Sequence, residues 1–174
     1  MKNENGLEFC LSTEAETIAF GRDLGRALQA AAGLPCILMY GELGSGKTTL
    51  TRGIVAVFPG GDDAEVSSPS FTLSNVYPTF PPIVHCDLYR SGFGSFPDEI
   101  AEVLDEEKSL VLVEWAERIA EADLPPARMD IRFCTCNKQR IVALVPKGEA
   151  AYSVLRELAG IRGISENALP YMKE

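Results

Sequence analysis

Gly41-Glu42-Leu43-Gly44-Ser45-Gly46-Lys47-Thr48 fits GxxxxGK[ST], the spacing at which backbone amides can curl around a phosphate group. Glycines let the N–H groups turn inward with no side chain in the way, and a helix beginning at Lys47 would add partial positive charge. Lys47 then supplies a full charge to the β- and γ-phosphates, and Thr48 offers a hydroxyl ligand for Mg²⁺. The pattern follows an apolar run, residues 36–40, and precedes a helical pattern over residues 47–58 that Pro59-Gly60-Gly61 stops. Strand, glycine-rich turn and helix are the setting this mechanism requires.

A phosphate loop by itself hydrolyses nothing, because the metal and the attacking water also need placing. Asp87 ends the run Ile83-Val84-His85-Cys86, and Glu114 ends Leu110-Val111-Leu112-Val113, so each is a carboxylate at the C-terminal end of an apolar segment. In a doubly wound sheet that edge is where ligands bind, and oxygen ligands suit Mg²⁺. Each acid read singly could equally be a solvated strand end; two together with a phosphate loop favour function. His85 is read as a structural histidine, and Arg90 and Arg118 as surface residues. Trp115 is either a core anchor or an aromatic plane beside the nucleotide. Val66-Ser67-Ser68-Pro69-Ser70-Phe71, taken alone, is a polar turn. Cys134 and Cys136 lie on one face of an expected strand, and no Cys or His spacing supports zinc.

The surrounding pattern gives the elements that must hold these groups. Residues 7–12 alternate as an edge strand. Thr13-x-x-Glu16 is a capping box, after which Phe20, Leu24, Ala27, Leu28 and Ala31 recur at helical spacing. Residues 71–77 and 83–88 form strands joined by a link too short for a crossover helix, so they run antiparallel. Residues 98–104 are helical, 110–113 are a strand buried on both faces, and 131–135 with 140–145 make a second hairpin. The expected fold is α/β with a mixed sheet, in one domain with no internal boundary; the tail from Lys147 offers Tyr152, Leu155 and Leu158 at helical spacing.

The chain has 174 residues, 46% hydrophobic and 24% charged, as in an ordinary globular domain. Lys plus Arg number 16 and Asp plus Glu 25, a net charge of −9, which argues against a broad grip on DNA, RNA or an anionic membrane. The N-terminal MKNENGLEFCLS has no apolar stretch, the Cys count of 5 is odd, and no run could span a bilayer, so a cytoplasmic setting is expected.

Read in order, Gly41-Glu42-Leu43-Gly44-Ser45-Gly46-Lys47-Thr48-Thr49, Ser68-Pro69-Ser70-Phe71-Thr72-Leu73, His85-Cys86-Asp87-Leu88-Tyr89-Arg90 and Val113-Glu114-Trp115-Ala116-Glu117 resemble the TsaE (YjeE) family over residues 7–145. The His-x-Asp-Leu-Tyr-Arg and Glu-Trp elements are far more specific than the phosphate loop. The resemblance implies a P-loop NTPase fold with a mixed, partly antiparallel central sheet. It implies a Mg²⁺-dependent ATPase needed for threonylcarbamoylation of tRNA adenosine 37, acting with TsaB and TsaD and meeting tRNA only through that complex. Residues 1–146 would then be the ATPase domain, and 147–174 a tail that the family does not explain, expected to be helical and packed on it. ATP would lie on Gly41 to Thr49, Ser70 and Trp115; Thr48, Asp87 and Glu114 would serve the metal, with Asp87 and Glu114 catalytic. Residues 68–71 would form a switch-like loop sensing the γ-phosphate. Departures are mild: Ser45 stands where Ala is common, Ser70 where Thr is common, and Cys86 where an aliphatic residue is usual, which raises the question of oxidation beside Asp87. With no obvious arginine finger in cis, hydrolysis is expected to be slow alone and faster with partners.

The strongest rival is a small-molecule kinase using the same loop. The absence of an Arg cluster and the two expected hairpins fit it poorly. A regulatory GTPase is weaker, because Asn137-Lys138-Gln139-Arg140 lacks the Asp of a guanine-reading motif. A binding module with a dead site sits badly with Lys47, Thr48, Asp87 and Glu114 all present.

Overall fold

The computed structural model describes residues 6–94, 97–105, 108–136 and 139–170. The strands are β1 (Leu7–Leu11), β2 (Cys36–Tyr40), β3 (Ser74–Tyr77), β4 (Ile83–Asp87), β5 (Leu110–Glu114), β6 (Arg128–Cys136) and β7 (Gln139–Lys147), and the helices α1 (Glu14–Ala30), α2 (Lys47–Val55), α3 (Asp98–Asp105) and α4 (Gly148–Ile161). The strands make one seven-stranded sheet in the order β1-β7-β6-β2-β5-β4-β3. Its centre is parallel, β6-β2-β5-β4, and antiparallel pairs flank it: β3 on β4, β7 on β6 and β1 on β7. The mixed sheet expected from sequence is present, with β1 at one edge.

Alternation along the central strands sends side chains to two separate cores. Ile37, Met39, Leu110, Leu112, Met129 and Ile131 pack with α1, α2 and α4 residues such as Phe20, Leu24, Leu50, Ile54, Leu155 and Leu158. Cys36, Leu38, Val84, Cys86, Val111 and Val113 pack on the other face with Ile100 of α3 and with Ala116 and Ile119. Both sheet faces are therefore covered, which is why β2, β4 and β5 read as almost continuous apolar runs. The Thr13 capping box forms as expected: Glu16 N donates to Thr13 Oγ1 at 3.1 Å, and Thr13 N donates to the Glu16 carboxylate at 3.3 Å.

Several bounds differ from the sequence reading for local reasons. The helix expected over residues 47–58 stops at Val55, because the next turns tighten: Val57 N donates to Ile54 O at 3.3 Å and Phe58 N to Val55 O at 3.1 Å, which tucks Phe58 into the core. β3 is shorter than residues 71–77. Thr72 N donates to Pro69 O at 3.0 Å and Leu73 takes a φ of 70°, so residues 71–73 form a turn. β6 and β7 are longer than expected because their ladder runs unbroken from Arg128↔Lys147 to Cys136↔Gln139. Asn137 and Lys138 of the partial guanine motif lie outside the described residues. Among the described residues no helix is long and apolar enough to cross a membrane.

Candidate functional site

The ends of β2, β4 and β5 bring the chemistry to one edge. Parallel pairing sets Asp87 opposite Glu114 and Met39 opposite Glu114, so both acids close their strands beside the point where β2 gives way to the glycine-rich turn. Gly41 has a φ of 145°, and a Cβ there would lie 2.9 Å from Phe133 Cβ. Gly46, the residue before α2, has a φ of 108°, and a Cβ there would lie 3.2 Å from Arg140 Nη1. No side chain caps α2 and its first turn carries no acid, so its leading N–H groups are not taken up by a side chain of the helix itself. Lys47 folds back into the turn, with Nζ 2.6 Å from Gly41 O, 3.0 Å from Glu42 O and 4.1 Å from the centroid of the Trp115 ring. Burial lowers its pKa below the ordinary lysine value, against the opposing pull of Glu114, Glu117 and Asp87.

The acids are held by neutral donors and one imidazole. Thr48 Oγ1 donates to Glu114 Oε1 at 2.7 Å, and the same oxygen lies 2.9 Å from His85 Nε2. Asp87 accepts from the Ser68 hydroxyl and, at 2.8 Å, from the backbone N–H of Tyr89. Asp87 is 4% exposed and Glu114 3%. Immediately after Glu114, Trp115 takes a left-handed φ of 61°, which turns its ring toward Lys47 and toward Tyr89, 4.9 Å away between centroids. A cleft of about 260 Å³ runs along this edge, lined by residues 43–49 with Ser68, Ser70, Asp87, Glu114 and Trp115. A larger one of about 580 Å³ lies against Leu34, Cys36, Val111 and Pro125, and among the described residues that line it Asp123 alone is charged. Volume and chemistry part company here, and the smaller cleft holds the convergent polar groups.

A family model described as threonylcarbamoyl adenosine biosynthesis protein TsaE matches residues 11–142. The chain belongs to the TsaE family. It is 40% identical over 120 residues to the tRNA threonylcarbamoyladenosine biosynthesis protein TsaE of Streptomyces coelicolor, covering 65% of this chain and 75% of that one. The protein of the same name from Rickettsia typhi is 36% identical over 135 residues, 74% of this chain and 88% of that one. The crystal structure of Bacillus subtilis YdiB superposes with a TM-score of 0.65 at 26% identity, covering 88% of this chain and 94% of that one. The α/β architecture is that of a P-loop NTPase with a mixed, partly antiparallel sheet.

The residues singled out in the sequence converge at this TsaE edge: Leu43 to Thr49, Ser70, Asp87, Glu114 and Trp115 all line one cleft, with Gly41 and Glu42 behind Lys47. Arg90 also lines it, stacked 4.4 Å from the centroid of the exposed Phe71 ring. His85, expected to be structural, is fully buried and contacts Glu114 directly; its place two residues before Asp87 on a strand puts it on the same sheet face as that acid. Arg140, against Gly46 and 3.0 Å from Thr17 Oγ1, had no signal in the pattern. Glu117 Oε2 is buried with no hydrogen-bond partner among the described residues. Cys86 is fully buried and its thiol is pushed up to about 12, so the thiolate on which oxidation depends is suppressed.

Proposed function

We propose that this chain binds ATP with Mg²⁺ and hydrolyses it as the energy-coupling subunit for threonylcarbamoylation of tRNA adenosine 37, working in the cytoplasm with TsaB and TsaD. The observation that carries the reading is the Thr48 hydroxyl bonded at 2.7 Å to Glu114, with Asp87 beside it in register, at the mouth of the glycine-rich turn. A hydroxyl and two carboxylates suit a hard cation that takes few protein ligands and completes its shell with phosphate oxygens and water. When bound, Mg²⁺ supplies charge neutralisation to the β- and γ-phosphates. Thr48, Asp87 and Glu114 would hold it directly or through water, and the acids orient the attacking water. Lys47 leaves the Gly41 and Glu42 carbonyls to meet phosphate oxygens. Ser68 and Ser70 sit where a loop can sense the γ-phosphate, and Trp115 flanks the nucleotide. With a net charge of −9, contact with tRNA is assigned to the complex rather than to this chain.

Calorimetry of MgATP on the wild type and on Lys47→Ala tests the binding claim; affinity falls below detection in a folded variant, and unchanged affinity contradicts it. Pull-down of TsaB and TsaD with a non-hydrolysable ATP analogue, with ADP and without nucleotide tests the coupling. Complex formation should depend on the nucleotide, and equal recovery in all three removes the energy-coupling reading in favour of a small-molecule kinase.

A further inference from the structure

We propose that Tyr77 and His85 are positioning residues that tie the loop at Ser67 to the aim of the Glu114 carboxylate. The inference rests on the reading of Glu114 as an acid of ATP hydrolysis and adds to it a physical link between that acid and the loop. The link is written in the register of three neighbouring strands. Tyr77 of β3 pairs with Ile83, two residues before His85; His85 of β4 pairs with Leu112, two residues before Glu114 of β5. Each residue is thus a same-face diagonal neighbour of the next, the separation at which long side chains meet. They do meet: the Tyr77 hydroxyl lies 3.2 Å from His85 Nδ1, and His85 Nε2 lies 2.9 Å from Glu114 Oε1. The same hydroxyl lies 3.4 Å from the Ser67 carbonyl, at the start of the loop whose next residue, Ser68, donates to Asp87.

Hydrogen counting gives the link its content. Glu114 Oε1 accepts from Thr48, and the His85 nitrogen facing that oxygen is Nε2; the tautomer that donates there carries its hydrogen on Nε2 and leaves Nδ1 as an acceptor. His85 is 0% exposed, and in that tautomer the Tyr77 hydroxyl, 3.2 Å away, is the donor placed at Nδ1. A phenol has one hydrogen, and here two acceptors compete for it: Nδ1 of the ring that orients Glu114, and the Ser67 carbonyl of the loop. Movement of the loop therefore changes how firmly the ring is held, and the ring shares Oε1 of Glu114 with Thr48. Groups that orient a functional side chain in this way typically matter by about 10–100-fold when removed.

The test combines kinetics with a spectroscopic reading that needs no activity. Tyr77→Phe keeps the ring and deletes the hydroxyl; with TsaB and TsaD present it lowers kcat about tenfold and leaves KM for ATP and the affinity for ADP within twofold. His85→Asn, whose amide nitrogen does not reach the Nε2 position, loses more, and His85→Gln, whose amide does, recovers part of the loss. Adding Tyr77→Phe to His85→Gln has no further effect, because the relay is already cut. The sequence holds a single His, so ¹⁵N NMR of the untagged chain reports one imidazole: the Nε2–H tautomer in the wild type, and a mixture in Tyr77→Phe. Wild-type kcat in Tyr77→Phe, additive effects in the double variant, or an Nδ1–H tautomer in the wild type each overturns the relay. A wild type that shows the tautomer but no ATP turnover with its partners retains the relay and removes the hydrolytic reading of Glu114.

Discussion

Asp130 on β6 and the pair Asp87 and Glu114 are equally buried, at 4%, 4% and 3% exposure, yet they are satisfied by different chemistry. Asp130 accepts at 3.1 Å from Arg128 Nε in its own strand, and Arg128 in turn donates to Pro125 O at 2.8 Å. Among the described residues neither Asp87 nor Glu114 forms an ion pair with Lys or Arg; their partners are hydroxyls, a backbone N–H and an imidazole. A buried acid with a fixed cation has its charge spent on the fold. A buried acid with no Lys or Arg paired to it keeps that charge for a cation arriving with a ligand, and both such acids lie beside the phosphate loop.

Swapping single atoms at the two kinds of site sharpens the contrast. The largest effect is expected from Asp87→Asn, which lowers ATP hydrolysis about a hundredfold or more while Tm moves by only a few degrees. Asp130→Asn does the reverse: turnover per folded molecule stays at the wild-type value, and urea denaturation registers a loss on the order of 2 kcal/mol because a buried charge pair is broken. Equal turnover losses in the two variants would erase the distinction. The smallest effect concerns Lys47, whose lowered pKa reflects the cost of burying its charge. Between its folded pKa and the ordinary value of 10.5 the unfolded chain binds more protons, so stability without nucleotide rises with pH through that window. In Lys47→Met that rise is missing and the nucleotide-free Tm is no lower than the wild type's, as differential scanning calorimetry would show.

The same contrast explains what could be read from sequence. The phosphate loop was legible because glycine spacing and Lys47-Thr48 are local requirements, and Asp87 and Glu114 because a carboxylate after an apolar run marks a strand end. The contacts of Tyr77 and His85 were not, because they depend on the register of β3, β4 and β5, which no local pattern specifies; for His85 only the sheet face it shares with Asp87 is local. Asp130 carries no local signal for a related reason, since its meaning lies in the Arg128 contact. Residues 71–73 alternate as a strand would, but the turn onto Pro69 and the positive φ of Leu73 overrode the pattern and left Phe71 84% exposed.

The central claim is that the acids without a fixed cation do the work of hydrolysis, and Glu114→Gln tests it most directly, because it keeps side-chain length and removes the charge by exchanging one carboxylate oxygen for an amide nitrogen. Steady-state ATP turnover with TsaB and TsaD, measured alongside MgATP affinity by calorimetry, should show a loss of about a hundredfold or more in kcat with affinity within threefold of the wild type. Wild-type turnover in a variant that binds ATP normally would contradict the account.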